Sequence, residues 1–159
     1  MEGSSLTAYA AAASGELERT LPLVSALLSL ARPSAFPVDL RHALEPLSVV
    51  YGAIANAAGG TLRISNCTEQ MFVSTGGTAA RTLLAELLDA AVGEPRAVTG
   101  ELHRQGDRVA LRLSSPLARP IGSDVRRLAT STGARFDSAH GATLLSFPAL
   151  TPSGADSSP

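Results

Sequence analysis

Residues 97–104 and 108–114 alternate apolar and polar side chains, with Gln105, Gly106 and Asp107 between them. Alternation of period two on both sides of a short glycine-containing turn is the signature of a β-hairpin. One face of such a hairpin is apolar, so the rest of the chain has to cover it. The neighbouring segments supply helices. Asp39 is positioned to cap a helix running to about Ala58, with Leu40, Ala43, Leu44, Leu47, Val50, Tyr51 and Ile54 on its buried side, and Gly59-Gly60 ends it. Strands are expected over 61–64 and 71–73. Thr75 is read as the cap of a second helix, closing at Gly93. Ser123 is read as the cap of a short helix through Thr132, stopped by Gly133. The last strands, 134–137 and 142–147, flank Ala139-His140-Gly141. Hairpins interleaved with helices predict an α+β fold: a two-layer sandwich with a mixed, mostly antiparallel sheet covered by helices.

The N-terminal part follows a different pattern. Ala10, Ala13, Leu17, Leu21, Val24, Leu28 and Ala31 recur in steps of three and four, placing them on one helical stripe capped by Ser4 or Ser5. Pro22 is expected to kink or restart that helix, and residues 32–37 to stop it. The stripe requires a partner surface, either the chain's own body or a second copy. Three regions result: an N-terminal helix over 1–36, a mixed domain over 37–150, and a Ser-, Pro- and Gly-containing tail over 151–159, expected to be disordered.

Composition narrows the function classes. With 159 residues and 45% hydrophobic content, one substantial core is affordable, and at 4% aromatic content it must be built from Leu, Ala and Val. A net charge of −1, with arginines and acids interspersed, gives no electrostatic footprint for nucleic acid. Cys67 is the single cysteine, which excludes an internal disulfide framework and a cysteine metal cluster. No apolar run reaches the roughly 20 residues of a membrane span, and the N-terminus lacks the basic-then-apolar order of a signal peptide. The expectation is a cytoplasmic protein with no membrane span, or a piece of a larger one.

Four segments carry a resemblance. PVDLRHALEPLSVVYGAIANAAGGTLRIS (37–65) resembles the entry helix and first strand of a sensor histidine kinase ATP-binding domain. STGGTAARTLLAELLDAAV (74–92) is similar to the helix that carries the family's asparagine box. VTGELHRQGDRVALRLSS (98–115) resembles the hairpin leading to the adenine-contacting box, and VRRLATSTGARFDSAHGATLLSFPAL (125–150) the closing helix and hairpin. ELERTLPLVSALLSLARP (16–33) is similar to the second helix of the dimerisation hairpin that precedes such a domain. The resemblance implies the Bergerat-type fold and a remnant nucleotide site at Glu86, Asp89, Ser115 and Thr143.

The departures from the family pattern shape the expected function. Glu86 stands where a general-base carboxylate can sit, but four residues on, where the family has a Mg²⁺-binding asparagine, stands Ala90. Ser115 takes the place of the adenine-binding aspartate, and residues 118–121 replace a long glycine-rich lid. A neutral hydroxyl forms about half as strong a hydrogen bond as a carboxylate. Among the histidines, His42 lies on a helix but is followed by Ala43, His103 lies in a strand and His140 in a turn, so none fits the phosphoacceptor pattern or a metal site. The expectation is a degenerate, pseudokinase-like module of two-component signalling with no cofactor and no metal. Its partner would be a response regulator, a kinase or itself, docked through Leu17, Leu21, Val24 and Leu28. Two other readings stand beside it: a catalytic fragment that binds ATP and Mg²⁺ at Glu86, Ser115 and Thr143, and a structural homodimerisation module.

Overall fold

The computed structural model describes residues 22–24, 37–65 and 69–150. Ten elements follow in order: β1 (Pro37–Asp39), α1 (Leu40–Ala57), β2 (Thr61–Ser65), β3 (Phe72–Gly76), α2 (Gly77–Ala91), β4 (Ala97–Gln105), β5 (Arg108–Leu113), α3 (Ser123–Thr132), β6 (Arg135–Ala139) and β7 (Ala142–Pro148). Five strands form one sheet in the order β2-β4-β5-β7-β6. β2 and β4 run parallel, and the other three pairs are antiparallel. The α+β sandwich with a mixed, mostly antiparallel sheet is therefore the observed architecture. The N-terminal region and the tail lie outside the described residues, apart from 22–24.

Strand alternation decides which face is covered. Val98 and Leu102 of β4, Leu111 and Leu113 of β5, and Leu145 and Phe147 of β7 are buried. They share one core with Leu40, Leu44 and Leu47 of α1 and Leu83, Leu84, Leu87 and Leu88 of α2. The opposite face carries Arg63, Glu101, Arg112 and Arg135, all exposed. The β4–β5 turn is the expected one, with Gly106 in the left-handed region at φ 62°. The β6–β7 turn places His140 (φ 53°) and Gly141 (φ 76°) both at positive φ, the pairing that a two-residue type I′ hairpin demands.

Asp39 is the junction of the fold. Its Oδ1 accepts from the Arg41 backbone N–H (3.1 Å), capping α1, and from the Met71 N–H (3.0 Å), 32 residues away. Its Oδ2 accepts from the Arg41 guanidinium at 3.1 and 3.3 Å. Burial pushes this carboxyl's pKa up, but the hydrogen bonds from Met71 and Arg41 outweigh it, and the net shift is downward.

Several expectations are corrected. Pro37–Asp39 is a strand, pairing with β3, where the sequence reading ends a connector at Pro37 and expects no strand before the Asp39 cap. β3 extends to Gly76, so Thr75 is a strand residue and not a cap; the α2 cap is Gly76, which offers no side-chain acceptor. Gly122, not Ser123, caps α3. α2 ends at Ala91, two residues before Gly93. Ile54 is exposed while its neighbour Ala55 is buried, so the covered stripe of α1 runs through position 55 and not 54 at that end.

Thr75 yields a test. Its hydroxyl is buried with no hydrogen-bond partner among the described residues. Thr75→Val removes that group at nearly constant volume and is expected to raise stability by about 1 kcal/mol. A loss of stability on chemical denaturation would mean that the hydroxyl is satisfied.

Candidate functional site

The candidate site is built on α2, whose heptad-like apolar face fixes its orientation. Leu83, Leu84, Leu87, Leu88 and Ala91 point into the core, which leaves Glu86 exposed and Asp89 at the edge. Ala90, one turn after Glu86 on the same side of the helix, is buried. Tyr51 of α1 faces the same region. Burial raises the Tyr51 hydroxyl pKa, the Glu86 charge raises it further, and the Arg119 charge acts against both. Tyr51, Glu86 and Arg119 therefore share one electrostatic neighbourhood.

The segment joining β5 to α3, residues 114–122, is tied down over the C-terminal end of α2. The backbone N–H groups of Ala118 (2.9 Å) and Arg119 (3.1 Å) both donate to the Ala90 carbonyl. The Arg119 guanidinium pairs with Asp89. The Arg96 guanidinium donates to the Ala91 carbonyl (3.1 Å) and to the Pro116 carbonyl. The last carbonyls of a helix have no intrahelical partner, so this strap supplies the cap that α2 lacks in its own sequence. Ile121 is buried, and Leu117 packs against the core.

Thr143 is buried in β7, and its hydroxyl donates to the Ser115 carbonyl at 3.3 Å. A cavity of about 340 Å³ opens beside this contact, lined in part by Pro116, Leu117, Ile121, His140 and Thr143. Neither Glu86 nor Asp89 lines it. The structure thus brings Asp89, Ala90, Ser115 and Thr143 together around one strap, and the strap's Arg119 acts with Glu86 on Tyr51. Val24 is exposed; Leu17, Leu21 and Leu28 lie outside the described residues. His42 is exposed on α1, 3.9 Å from Asp39, and no group of three potential metal ligands occurs among the described residues. Sequence reading missed Tyr51, Arg96 and Arg119 as members of this cluster. Their partners are backbone carbonyls and distant acids, which leave no periodic trace.

No family model and no curated protein matches the chain. Solved structures do. The catalytic domain of histidine kinase ThkA superposes with a TM-score of 0.53 at 14% identity, covering 70% of this chain and 94% of that one. The histidine kinase AdeS of Acinetobacter baumannii gives 0.54 at 12% identity, covering 93% and 84%. The chain has the fold of a histidine-kinase catalytic domain. A structure of ThkA in complex with the response regulator TrrA is also similar, with a TM-score of 0.50 at 16% identity, covering 92% of this chain and 52% of that one. No helix among the described residues is long and apolar enough to cross a membrane.

Proposed function

We propose that this chain is a degenerate histidine-kinase-like module of two-component signalling that works through protein contacts in the cytoplasm and not by ATP hydrolysis. The observation that carries the reading is the strap: two backbone amides occupy the Ala90 carbonyl, and Arg119 neutralises Asp89, at the helix end where a nucleotide's metal would need oxygen ligands. Mg²⁺ takes oxygen donors in near-octahedral geometry, and the methyl group of Ala90 offers none. ATP with Mg²⁺ does not fit the residues present. The competing reading, a nucleotide site at Glu86, Ser115 and Thr143, needs these groups on one cavity, and Glu86 does not line the cavity that Thr143 lines. The response-regulator complex of ThkA, a protein of the same fold, supports a protein of that class as partner.

Restoring the missing side chain tests the role of the strap. Ala90→Asn is expected to destabilise the domain by about 1–3 kcal/mol, since the site is packed, and to leave ATP binding undetectable. Mg²⁺-dependent binding by this variant would show that a single side chain, and not the strap, is the barrier.

A further inference from the structure

One edge of the five-stranded sheet is open. β6 stands last in the strand order and pairs only with β7. Their tight turn makes Ala139 and Ala142 a hydrogen-bonded pair, and alternation along an antiparallel ladder gives Asp137 and Arg135 the same inward bonding. The N–H and C=O groups of Phe136 and Ser138 therefore point away from β7, and no described residue bonds to them. β6 has neither a proline nor a register shift, so charge alone protects this edge.

α3 packs beside β6, and between them lies a cavity of about 250 Å³, lined in part by Ala129 and Thr130 of α3 and Phe136 of β6. Arg126 and Arg135 line it too, with a single acid, Asp137. Both arginines are exposed, and neither has a carboxylate within ion-pair distance among the described residues. Arg127, by contrast, pairs with Asp124 at 3.4 Å. Arg108 adds a third cation where α3 gives way to β6, its guanidinium donating to the Gly133 carbonyl at 2.8 Å. Burial lowers the Arg108 pKa and the charge of Arg135 lowers it further, against the opposing charges of Asp107 and Asp137. Positive charge is thus concentrated along this groove. A free strand edge beside a helix is a geometry that receives extended peptides: the main chain adds to the sheet and alternate side chains enter the groove.

We propose that the β6 edge receives an extended, acidic segment of a partner protein, added to the sheet as a further strand with its carboxylates on Arg126 and Arg135. The main-chain groups of Phe136 and Ser138 bond the segment, and its apolar side chains rest on Ala129 and Phe136. A second copy's β6 fits poorly, because its Arg126 and Arg135 would meet their own counterparts. The chain's remaining residues offer no such segment. Residues 1–9 and 151–159 hold one acid each, Glu2 and Asp156, and Glu16 and Glu18 fall in a stretch of helical period. The proposal rests on the reading of the chain as a protein-contact module, which the ATP titration tests separately and without these residues.

Titration of the full, isotope-labelled chain with a peptide of about eight residues alternating valine and glutamate tests the site. Saturable binding is expected at a Kd of about 100 μM or tighter, with the amide signals of Phe136 and Ser138 shifting most. A fully N-methylated version, which donates from neither edge, and a valine–lysine version should each bind at least about tenfold more weakly. Ser138→Pro removes an outward amide without touching the β7 bonds, and should abolish binding with an unchanged circular dichroism spectrum. Arg126→Glu combined with Arg135→Glu should weaken binding at least about tenfold. Equal binding by the N-methylated peptide would reduce the contact to charge and overturn the proposal. Slow hydrogen exchange of the Phe136 and Ser138 amides in the free chain would overturn it too: the edge would be covered by the chain itself or, if protection fades on dilution, by a second copy. Unchanged signals at millimolar peptide would remove the site.

Discussion

Asp39→Ala is expected to lower the unfolding free energy by about 2–4 kcal/mol, the sum of a lost helix cap and a buried amide left without its acceptor. For a domain of this size that corresponds to a melting temperature lower by about 10–20 °C. The size of the effect comes from reach. One carboxylate caps α1 through Arg41 and, through Met71, anchors the residue just before β3, so its loss loosens a helix and a strand together. Asp39→Asn keeps an acceptor oxygen and should lose about half as much. The pH dependence has a defined sign. The hydrogen bonds hold the folded-state pKa below its unfolded value, so the contribution is complete above about pH 4 and fades as pH falls through the lower folded-state value. Urea midpoints measured from pH 6 to pH 2 should therefore fall more steeply for the native chain than for Asp39→Asn. Parallel curves would mean that Asp39 is not the group responsible.

Gly60→Ala is the second large effect. A Cβ at this position would lie 2.3 Å from the carbonyl oxygen and 2.8 Å from the nitrogen of Arg96, both backbone atoms. That same carbonyl accepts from the Thr61 N–H at 3.0 Å, next to the Thr61–Ala97 pair that opens the parallel β2–β4 ladder. Backbone cannot swing aside as a side-chain tip can, so the ladder must separate, at a cost of about 3 kcal/mol or more. Gly52→Ala is the matched control. Nothing lies within 4 Å of its Cβ, and it sits inside α1, where alanine is favoured over glycine by about 0.5–1 kcal/mol. The two variants should move the denaturation midpoint in opposite directions. A shift of the same sign in both would refute the crowding argument.

The parts of the fold legible in the sequence are those written in a local period. The β4–β5 hairpin declares itself through alternation and Gly106; α1 through the Asp39 cap and its leucine spacing; the end of α3 through Gly133, which adopts φ 78°. What escaped depends on contacts distant in sequence. Pro37–Asp39 becomes a strand only because β3 lies beside it, and three residues carry no period. Thr75 has the composition of a cap but lies inside β3, between Val73 and Gly76, which pair with β1. Pro46 sits inside α1, where a breaker would be expected; burial of Leu44 and Leu47 on either side holds the helix through it. At the candidate site, Ala90 and the helix-free connection between β5 and α3 are plain in the sequence. That this connection doubles as the α2 cap is not, because its bonds are made by backbone amides, which every sequence possesses.

The account stands or falls on nucleotide binding by the intact chain. Calorimetric titration with ATP, with and without Mg²⁺, is the direct measurement. With the Ala90 carbonyl taken and Asp89 paired, no heat of binding is expected at millimolar nucleotide. Mg²⁺-dependent binding at micromolar concentration would contradict the account and return the chain to the nucleotide-binding kinases.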